Sequence, residues 1–195
     1  MTRSELLARV PPLYRLGHAL KDRRRARRDH PNARKHRLLR AAGAERGLRV
    51  LVETGTYMGE TAWALRRDFD RIETIELEPT LARLARVRFA RTPQVRVHEG
   101  DSATVLAEIL ATLDEPALFW LDAHPSTDRT ASSGPIPLLA ELTAIGEHRV
   151  RDHTILVDDM KYLGTPGYPT LDELVLPGYR FEAGETVGRF TPATA

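Results

Sequence analysis

The chain has 195 residues, 42% of them hydrophobic, and a formal net charge of +2. This length accommodates one domain with a single core and excludes a second full domain. Because there is no cysteine, disulfides, thiolate metal ligands and a cysteine nucleophile are excluded, and a reducing compartment such as the cytoplasm is favoured. We predict neither secretion nor a membrane span, because no run of about 18 apolar residues and no signal-peptide core is present.

Charge is distributed unevenly along the chain. Residues 1–49 contain fifteen Lys and Arg against four Asp and Glu, and the remainder contains fourteen against twenty-three. We therefore predict a basic helical arm over residues 1–47 and an acidic domain over residues 48–195. The basic run at residues 21–28 can bind RNA or an anionic membrane surface. It lacks the interleaved aromatic residues on which single-strand binders stack bases, so a solvated helix is favoured and a nucleic-acid partner is disfavoured.

The apolar pattern predicts the secondary structure in chain order. The arm is predicted as helices over residues 4–29, broken at Pro11 and Pro12, and over residues 33–42 after Pro31. Beyond it, short apolar runs alternate with helical stretches, which indicates a parallel sheet covered by helices. The predicted strands are 48–53, 71–76, 95–98, 117–121 and 154–157. The predicted helices between them are 61–68, 80–91, 103–113 and one ending near 145. The tail, 179–190, predicts a hairpin around a glycine-containing turn.

Acidic residues stand at the end of all five predicted strands. They are Glu53, Glu76, Asp101, Asp122 and the pair Asp158 and Asp159. In open α/β sheets, ligands bind beyond the carboxyl ends of the strands, near the point where strand order reverses. We therefore predict a binding site at this edge of the sheet.

A glycine turn, Gly55-Thr-Tyr-Met-Gly59, follows the first predicted strand. Its two glycines permit a tight turn and a close approach of the backbone to a ligand. The spacing differs from the GxGxxG pattern, because Tyr57 stands where a dinucleotide site needs its second glycine. NAD is therefore disfavoured, while an ordinary strand-to-helix turn would use the same glycines.

Three motifs, at residues 52–61, 75–79 and 99–102, resemble the consecutive cofactor motifs of class I S-adenosylmethionine-dependent methyltransferases. This resemblance, which covers residues 48–165, implies a Rossmann-like α/β fold: a mostly parallel sheet with helices on both faces and a C-terminal antiparallel hairpin. It also implies S-adenosylmethionine as cofactor. The glycine turn would face the methionine part and the ribose. Glu76 would accept hydrogen bonds from the ribose hydroxyls, and Asp101 would accept one from the adenine amino group, as carboxylates can. Glu78 competes with Glu76 but lies further from the strand. The implied cofactor residues are Glu53, Gly55, Thr56, Tyr57, Gly59, Glu76, Asp101, Ser102 and Asp122.

Three later segments, residues 117–124, 135–142 and 155–159, resemble a bacterial methyltransferase group with an LDAH or LDGH segment and a later DD pair. They are also similar to metal-dependent sugar O-methyltransferases of macrolide and aminocoumarin pathways. That resemblance implies Asp122, Asp158 and Asp159 as ligands of a divalent metal, and an all-oxygen set suits Mg²⁺. His124 stands where the sugar enzymes carry an acid that acts as base, and a histidine can accept a hydroxyl proton. Alternatively, these residues fix a loop and cap a helix.

The sequence thus predicts an S-adenosylmethionine-dependent methyltransferase that methylates a hydroxyl of a small polyhydroxylated or sugar-containing metabolite. Asp122 and His124 are the predicted catalytic residues, and residues 126–134 are predicted to form a loop over the site. The alternative is a catalytically inactive S-adenosylmethionine-binding module whose basic arm contacts RNA or a partner protein. A nucleic-acid methyltransferase is disfavoured, because no segment of the Asn-Pro-Pro-Tyr type is present. The sequence leaves the oligomeric state open, and a homo-oligomer is compatible with it.

Overall fold

The computed structural model describes residues 31–122 and 136–193. Its helices are α1 Pro31–Glu45, α2 Glu60–Leu65, α3 Pro79–Phe89, α4 Ser102–Ala111 and α5 Leu138–Glu147. Its strands are β1 Val50–Thr54, β2 Arg71–Glu76, β3 Val95–Glu99, β4 Ala117–Leu121, β5 Thr154–Val157, β6 Tyr179–Glu182 and β7 Gly188–Pro192. Short 3₁₀ helices occur at Met160–Tyr162 and Leu171–Glu173. The predicted helices over residues 4–29, the predicted loop over residues 126–134 and His124 lie outside the described residues.

The strands form one seven-stranded sheet in the order β3-β2-β1-β4-β5-β7-β6. The first five are parallel, and β7 is antiparallel to both β5 and β6. The structure therefore confirms the predicted mostly parallel α/β sheet with a C-terminal antiparallel hairpin. From β1 the chain builds β2 and β3 on one side, and β4 and β5 then lie on the other side. The strand order thus reverses between β1 and β4, which is where ligands bind in such sheets.

Helices cover both faces of the sheet, so the central strands have no solvated side. Every residue of β1, β4 and β5 is buried, as expected for parallel strands covered on both faces. On one face, α1, α2 and α3 pack against alternate strand residues such as Leu51 and Trp120. On the other face, α4 and α5 pack against Val52, Phe119 and Ile155. The two hydrophobic clusters hold the strand ends in fixed positions.

The helix boundaries differ from the predicted ones in two instructive places. Helix α1 begins at Pro31, before the predicted start at residue 33, because a proline lacks only a donor that the first turn leaves unpaired anyway. Helix α2 ends at Leu65 instead of Asp68, and the Asp68 amide closes a turn on the Leu65 carbonyl. Leu39 and Ala42 of α1 are buried in the core, so this part of the predicted arm packs on the sheet. Among the described helices none has the length and apolar character of a membrane span.

Candidate functional site

Three alternate residues of the glycine turn after β1 have a left-handed backbone. Gly55, Tyr57 and Gly59 all have positive φ, at 85°, 47° and 67°. A Cβ at Gly59 would lie 2.7 Å from the ring of Phe89, so a side chain at this position would require Phe89 to move. The Gly55 and Thr56 amides both donate to the carbonyl of Ile75, at 3.0 and 2.9 Å. The turn is thereby fastened to the carboxyl end of β2.

Glu76 lies at that end of β2 with its carboxylate facing the turn. It is buried, and its two oxygens accept hydrogen bonds from the backbone amides of Tyr57, at 2.6 Å, and Glu78, at 2.9 Å. Burial raises the pKa of Glu76, and these backbone hydrogen bonds oppose that shift. Each carboxylate oxygen has a further lone pair that can accept a ligand hydroxyl. The competing candidate, Glu78, instead caps α3 by accepting from the amides of Thr80 and Leu81.

Glu53 is buried near the end of β1, just before the turn. The Thr74 hydroxyl donates to its carboxyl at 2.7 Å, and the Thr56 and Thr74 hydroxyls lie 2.6 Å apart. Burial raises the pKa of Glu53 to about 8, against the lowering effect of its hydrogen bond with Thr74. At neutral pH the carboxyl is therefore largely protonated, and it supports the turn through a threonine chain without adding a charge.

Asp101 and Ser102 lie at the beginning of α4, after β3. Asp101 is exposed and caps the helix, since one carboxylate oxygen accepts from the Ala103 amide at 3.0 Å. Within the described residues its other oxygen has no hydrogen bond, which leaves it for the adenine contact that the sequence predicts. Ser102 is buried, and its side chain lowers the pKa of Glu141 in α5, against the larger effect of burial.

Three aspartates meet on the other side of the β1–β4 crevice. Oxygen atoms of Asp122, Asp158 and Asp159, one from each, lie within 4.8 Å of one another. The backbone places them: the Asp122 amide donates to the Thr54 carbonyl at 3.2 Å, and the Asp158 amide donates to the Leu121 carbonyl at 3.0 Å. Asp159 has a φ of 57°, a left-handed conformation that aspartate tolerates better than most residues.

The donor chemistry of this aspartate triad fits a hard divalent cation. Mg²⁺ takes oxygen ligands at about 2.1 Å, so two of its ligands lie at most about 4.2 Å apart, and small movements of the three side chains would bring their oxygens onto one ion. Oδ1 of Asp158 is buried and has no hydrogen-bond partner within the described residues. Burial, and next the charge of Asp122, raise the pKa of Asp158 to about 6, against the ion pair with Lys35. A bound cation would relieve this crowding of negative charge.

Two residues that the sequence did not single out also belong to this region. Lys35 of α1 forms an ion pair with Asp158. Glu141 is 1% exposed and lines the same cavity as the triad, and burial raises its pKa to about 7. The side chains of Ser102, at the beginning of α4, and Thr54, at the end of β1, oppose this rise in pKa, while Oε1 of Glu141 is buried with no hydrogen-bond partner within the described residues. The rest of the cavity wall is Leu121, Ile136, Leu138, Val157, Leu163 and Tyr168.

Neither a protein-family model nor a curated protein sequence matches this chain. Solved structures do. A putative caffeoyl-CoA O-methyltransferase from Staphylococcus aureus superposes with a TM-score of 0.60 at 14% identity, over 82% of this chain and 83% of that one. An O-methyltransferase from Bacillus cereus in complex with SAH (S-adenosylhomocysteine) gives 0.60 at 19% identity, over 80% of each chain. TomG from Streptomyces achromogenes, an O-methyltransferase of tomaymycin synthesis in complex with SAM (S-adenosylmethionine), gives 0.53 at 20% identity, over 92% and 89%.

These likenesses confirm the predicted resemblance at the level of the fold. The chain has the Rossmann-like fold of class I S-adenosylmethionine-dependent methyltransferases. Fold alone does not assign an activity, which has to be argued from the site.

Proposed function

We propose that this protein is a methyltransferase that uses S-adenosylmethionine to methylate a hydroxyl of a small polyhydroxylated metabolite. The observation that carries the proposal is the position of Glu76. Its carboxylate is held by two backbone amides at the carboxyl end of β2, against the glycine turn and beside the point where strand order reverses. The SAM- and SAH-bound neighbours support the choice of cofactor.

The β2 side of the crevice is proposed as the cofactor side. The cofactor supplies an electrophilic methyl group when it is bound. Glu76 would accept hydrogen bonds from the vicinal ribose hydroxyls, and Asp101 would accept one from the adenine amino group through its free oxygen. Gly55 carries no side chain, so the backbone of the turn would approach the methionine part closely. Protonated Glu53 would support the turn through the hydroxyls of Thr74 and Thr56.

The β4–β5 side is proposed as the acceptor side. Asp122, Asp158 and Asp159 would hold Mg²⁺, which lowers the pKa of a coordinated hydroxyl and orients a neighbouring one. His124, two residues beyond Asp122, is proposed as the base that takes the acceptor proton. The apolar wall formed by Leu121, Ile136 and Leu163 would exclude water from the reacting atoms.

Methyl transfer from a sulfonium is an in-line displacement, so the main task of the protein is positioning. The hydrogen bonds that join the ends of β1, β4 and β5 fix the distance between the two sides. Glu76 and the aspartate triad would thus keep a constant separation. A constant separation is needed to align a cofactor methyl group with an acceptor oxygen.

The test is isothermal titration of S-adenosylhomocysteine into the wild type and into Glu76→Gln. Glutamine has one acceptor oxygen, whereas the Tyr57 and Glu78 amides present two donors, so its NH₂ group would face a donor. We expect a loss of affinity of about tenfold or more. Glu78→Gln is the matched control and should bind nearly as the wild type does. Absence of binding to the wild type, with or without Mg²⁺, would overturn the proposal.

The Lys35–Asp158 ion pair favours a second candidate, a catalytically inactive S-adenosylmethionine-binding module, because a cation already neutralises one aspartate of the triad. Such a module would bind S-adenosylhomocysteine, would show no turnover with any hydroxylated acceptor and would be indifferent to substitution of His124. If its basic arm contacts RNA, that binding should weaken steeply as the salt concentration is raised.

A further inference from the structure

Lys35 extends from α1 to the acceptor side of the crevice. Its ammonium group hydrogen-bonds to Oδ2 of Asp158 and lies 5.8 Å from the ring centroid of Trp120. The Asp158 side chain is only 1% exposed, whereas that of Lys35 is 33% exposed. The pair therefore lies at the inner wall of the site, with the lysine stem leading out of it.

The position of Lys35 is set by the core. Leu39 stands one helical turn further along α1, on the same face as Lys35, and it is completely buried. Because the helix is anchored there, the ammonium group is delivered to Asp158 by the packing of α1 and not by a mobile surface loop.

The ammonium group of Lys35 lies among the negative charges of the aspartate triad. Although burial lowers the pKa of Lys35, its hydrogen bond with Asp158 and the charges of Asp122, Asp158 and Asp159 together raise it. Lys35 thus interacts with all three members of the triad. Partly buried carboxylates need a nearby cation, and within the described residues Lys35 is the cation that hydrogen-bonds to Asp158.

We propose that Lys35 is the resident counter-ion of the aspartate triad and competes with a divalent metal ion for Asp158. The inference rests on the proposed role of these aspartates as cation ligands. A metal ion bound by the triad would lie within a few ångströms of the ammonium group, and the two positive charges would repel each other strongly at that distance. Metal binding therefore displaces the ammonium group from Asp158, and the affinity for metal is set by helix α1.

The test is titration of Mg²⁺ into the wild type, Lys35→Met and Lys161→Met by calorimetry. Methionine keeps an unbranched stem but has no charge. We expect Lys35→Met to bind Mg²⁺ on the order of tenfold more tightly or better, because the competing charge is gone. Lys161 is the matched control, since it lies 4.0 Å from Asp159 but is 57% exposed, and its substitution should change the affinity far less.

A second measurement follows the ammonium group itself. The chain has two tryptophans, so in a Trp63→Phe background the fluorescence reports on Trp120. Mg²⁺ should change that fluorescence in the variant that keeps Lys35, because the cation near the ring departs, and should change it much less when Lys35→Met is added. Asp158→Asn should abolish Mg²⁺ binding in either background.

The competing outcomes are distinct. Unchanged or weaker Mg²⁺ binding by Lys35→Met, or no Mg²⁺ binding by any variant, would overturn the inference. Titration of S-adenosylhomocysteine into the same proteins separates this from the proposed function. If S-adenosylhomocysteine binds and Mg²⁺ does not, only the cation site fails; if Mg²⁺ binds and S-adenosylhomocysteine does not, the methyltransferase proposal fails.

Discussion

Nδ1 of His148 lies 2.9 Å from Nε2 of His153, and the two buried rings are stacked with their centroids 5.1 Å apart. Nδ1 of His153 accepts the backbone amide of Ala117, at the beginning of β4. A neutral His153 therefore has its proton on Nε2 and donates it to His148. Burial, and next the neighbouring His148, lower the pKa of His153 to about 4. His153 is therefore neutral in the folded protein at neutral pH, and the pair joins β4 to the segment before β5.

The histidine pair predicts a loss of stability in mild acid. The pKa of an unfolded histidine is about 6.5, so between pH 6.5 and 4 the unfolded chain binds a proton that folded His153 does not. The contribution is complete above pH 6.5 and declines as the pH falls towards 4. Urea unfolding at a series of pH values measures it. His153→Asn keeps an acceptor for Ala117 but cannot titrate, so its stability should fall less with pH. Parallel pH profiles for the two proteins would contradict the assignment.

Glu53 predicts the opposite pH dependence. Its folded pKa of about 8 lies above the unfolded value, so its contribution is complete below about pH 4.5 and is lost as the pH rises through 8. Glu53→Gln cannot ionise and should gain stability relative to the wild type between pH 6 and pH 9, by roughly 1–3 kcal/mol. Urea unfolding of both proteins at each of the two pH values measures this difference in the free energy of unfolding. A constant stability difference between the proteins would show that Glu53 is not protonated in the fold.

Glu141 is predicted to maintain both sides of the crevice. Its truncation to alanine would leave a void in the cavity wall and remove the carboxyl that interacts with the Ser102 and Thr54 side chains, which should cost about 1–3 kcal/mol. We expect Glu141→Ala to lower the melting temperature and to weaken S-adenosylhomocysteine binding, while Glu141→Gln retains most of both. Glu147→Ala, exposed on the same helix, is the control. If Glu141→Ala binds S-adenosylhomocysteine as the wild type does, Glu141 supports only the fold.

Gly59 and Gly47 form a natural pair for measuring the steric demand of the glycine turn. Both have left-handed backbones, with φ of 67° and 62°, but a Cβ at Gly47 meets nothing within 4 Å, whereas at Gly59 it meets Phe89. Gly47→Ala should therefore cost only the backbone strain, about 1–2 kcal/mol. Gly59→Ala should add about 1–3 kcal/mol for overpacking. Equal losses in chemical denaturation would show that Phe89 moves aside freely.

The sequence predicted the sheet well because its signal is local. Strands β2, β4 and β5 begin and end at the predicted residues, since their apolar runs are bounded by polar turns. Helix boundaries were less accurate, as with α2, because a few residues of irregular turn have the same composition as a helix end.

The residues that the sequence missed depend on long-range packing. Lys35 is one of fifteen basic residues before residue 50, and only the docking of α1 distinguishes it from the others. Glu141 lies in the same helix as the exposed Glu147, and spacing alone could not show that Glu141 is the buried one. The assignments of Glu76, Asp101 and the aspartate triad rest on a resemblance and on the geometry around them, and they stay predictions, as does the division of the chain at residue 47.

Helix α1 also limits how far this chain can be shortened, because it covers part of the core. A shortened protein that begins at Leu48 would keep every strand and every acidic strand end. It would nevertheless expose the part of the core that Leu39 and Ala42 now cover, and it would leave the buried Asp158 without its ammonium partner. We therefore expect a chain that begins at Leu48 to be less stable than one that begins at Pro31, although composition alone assigns residues 31–47 to the basic arm.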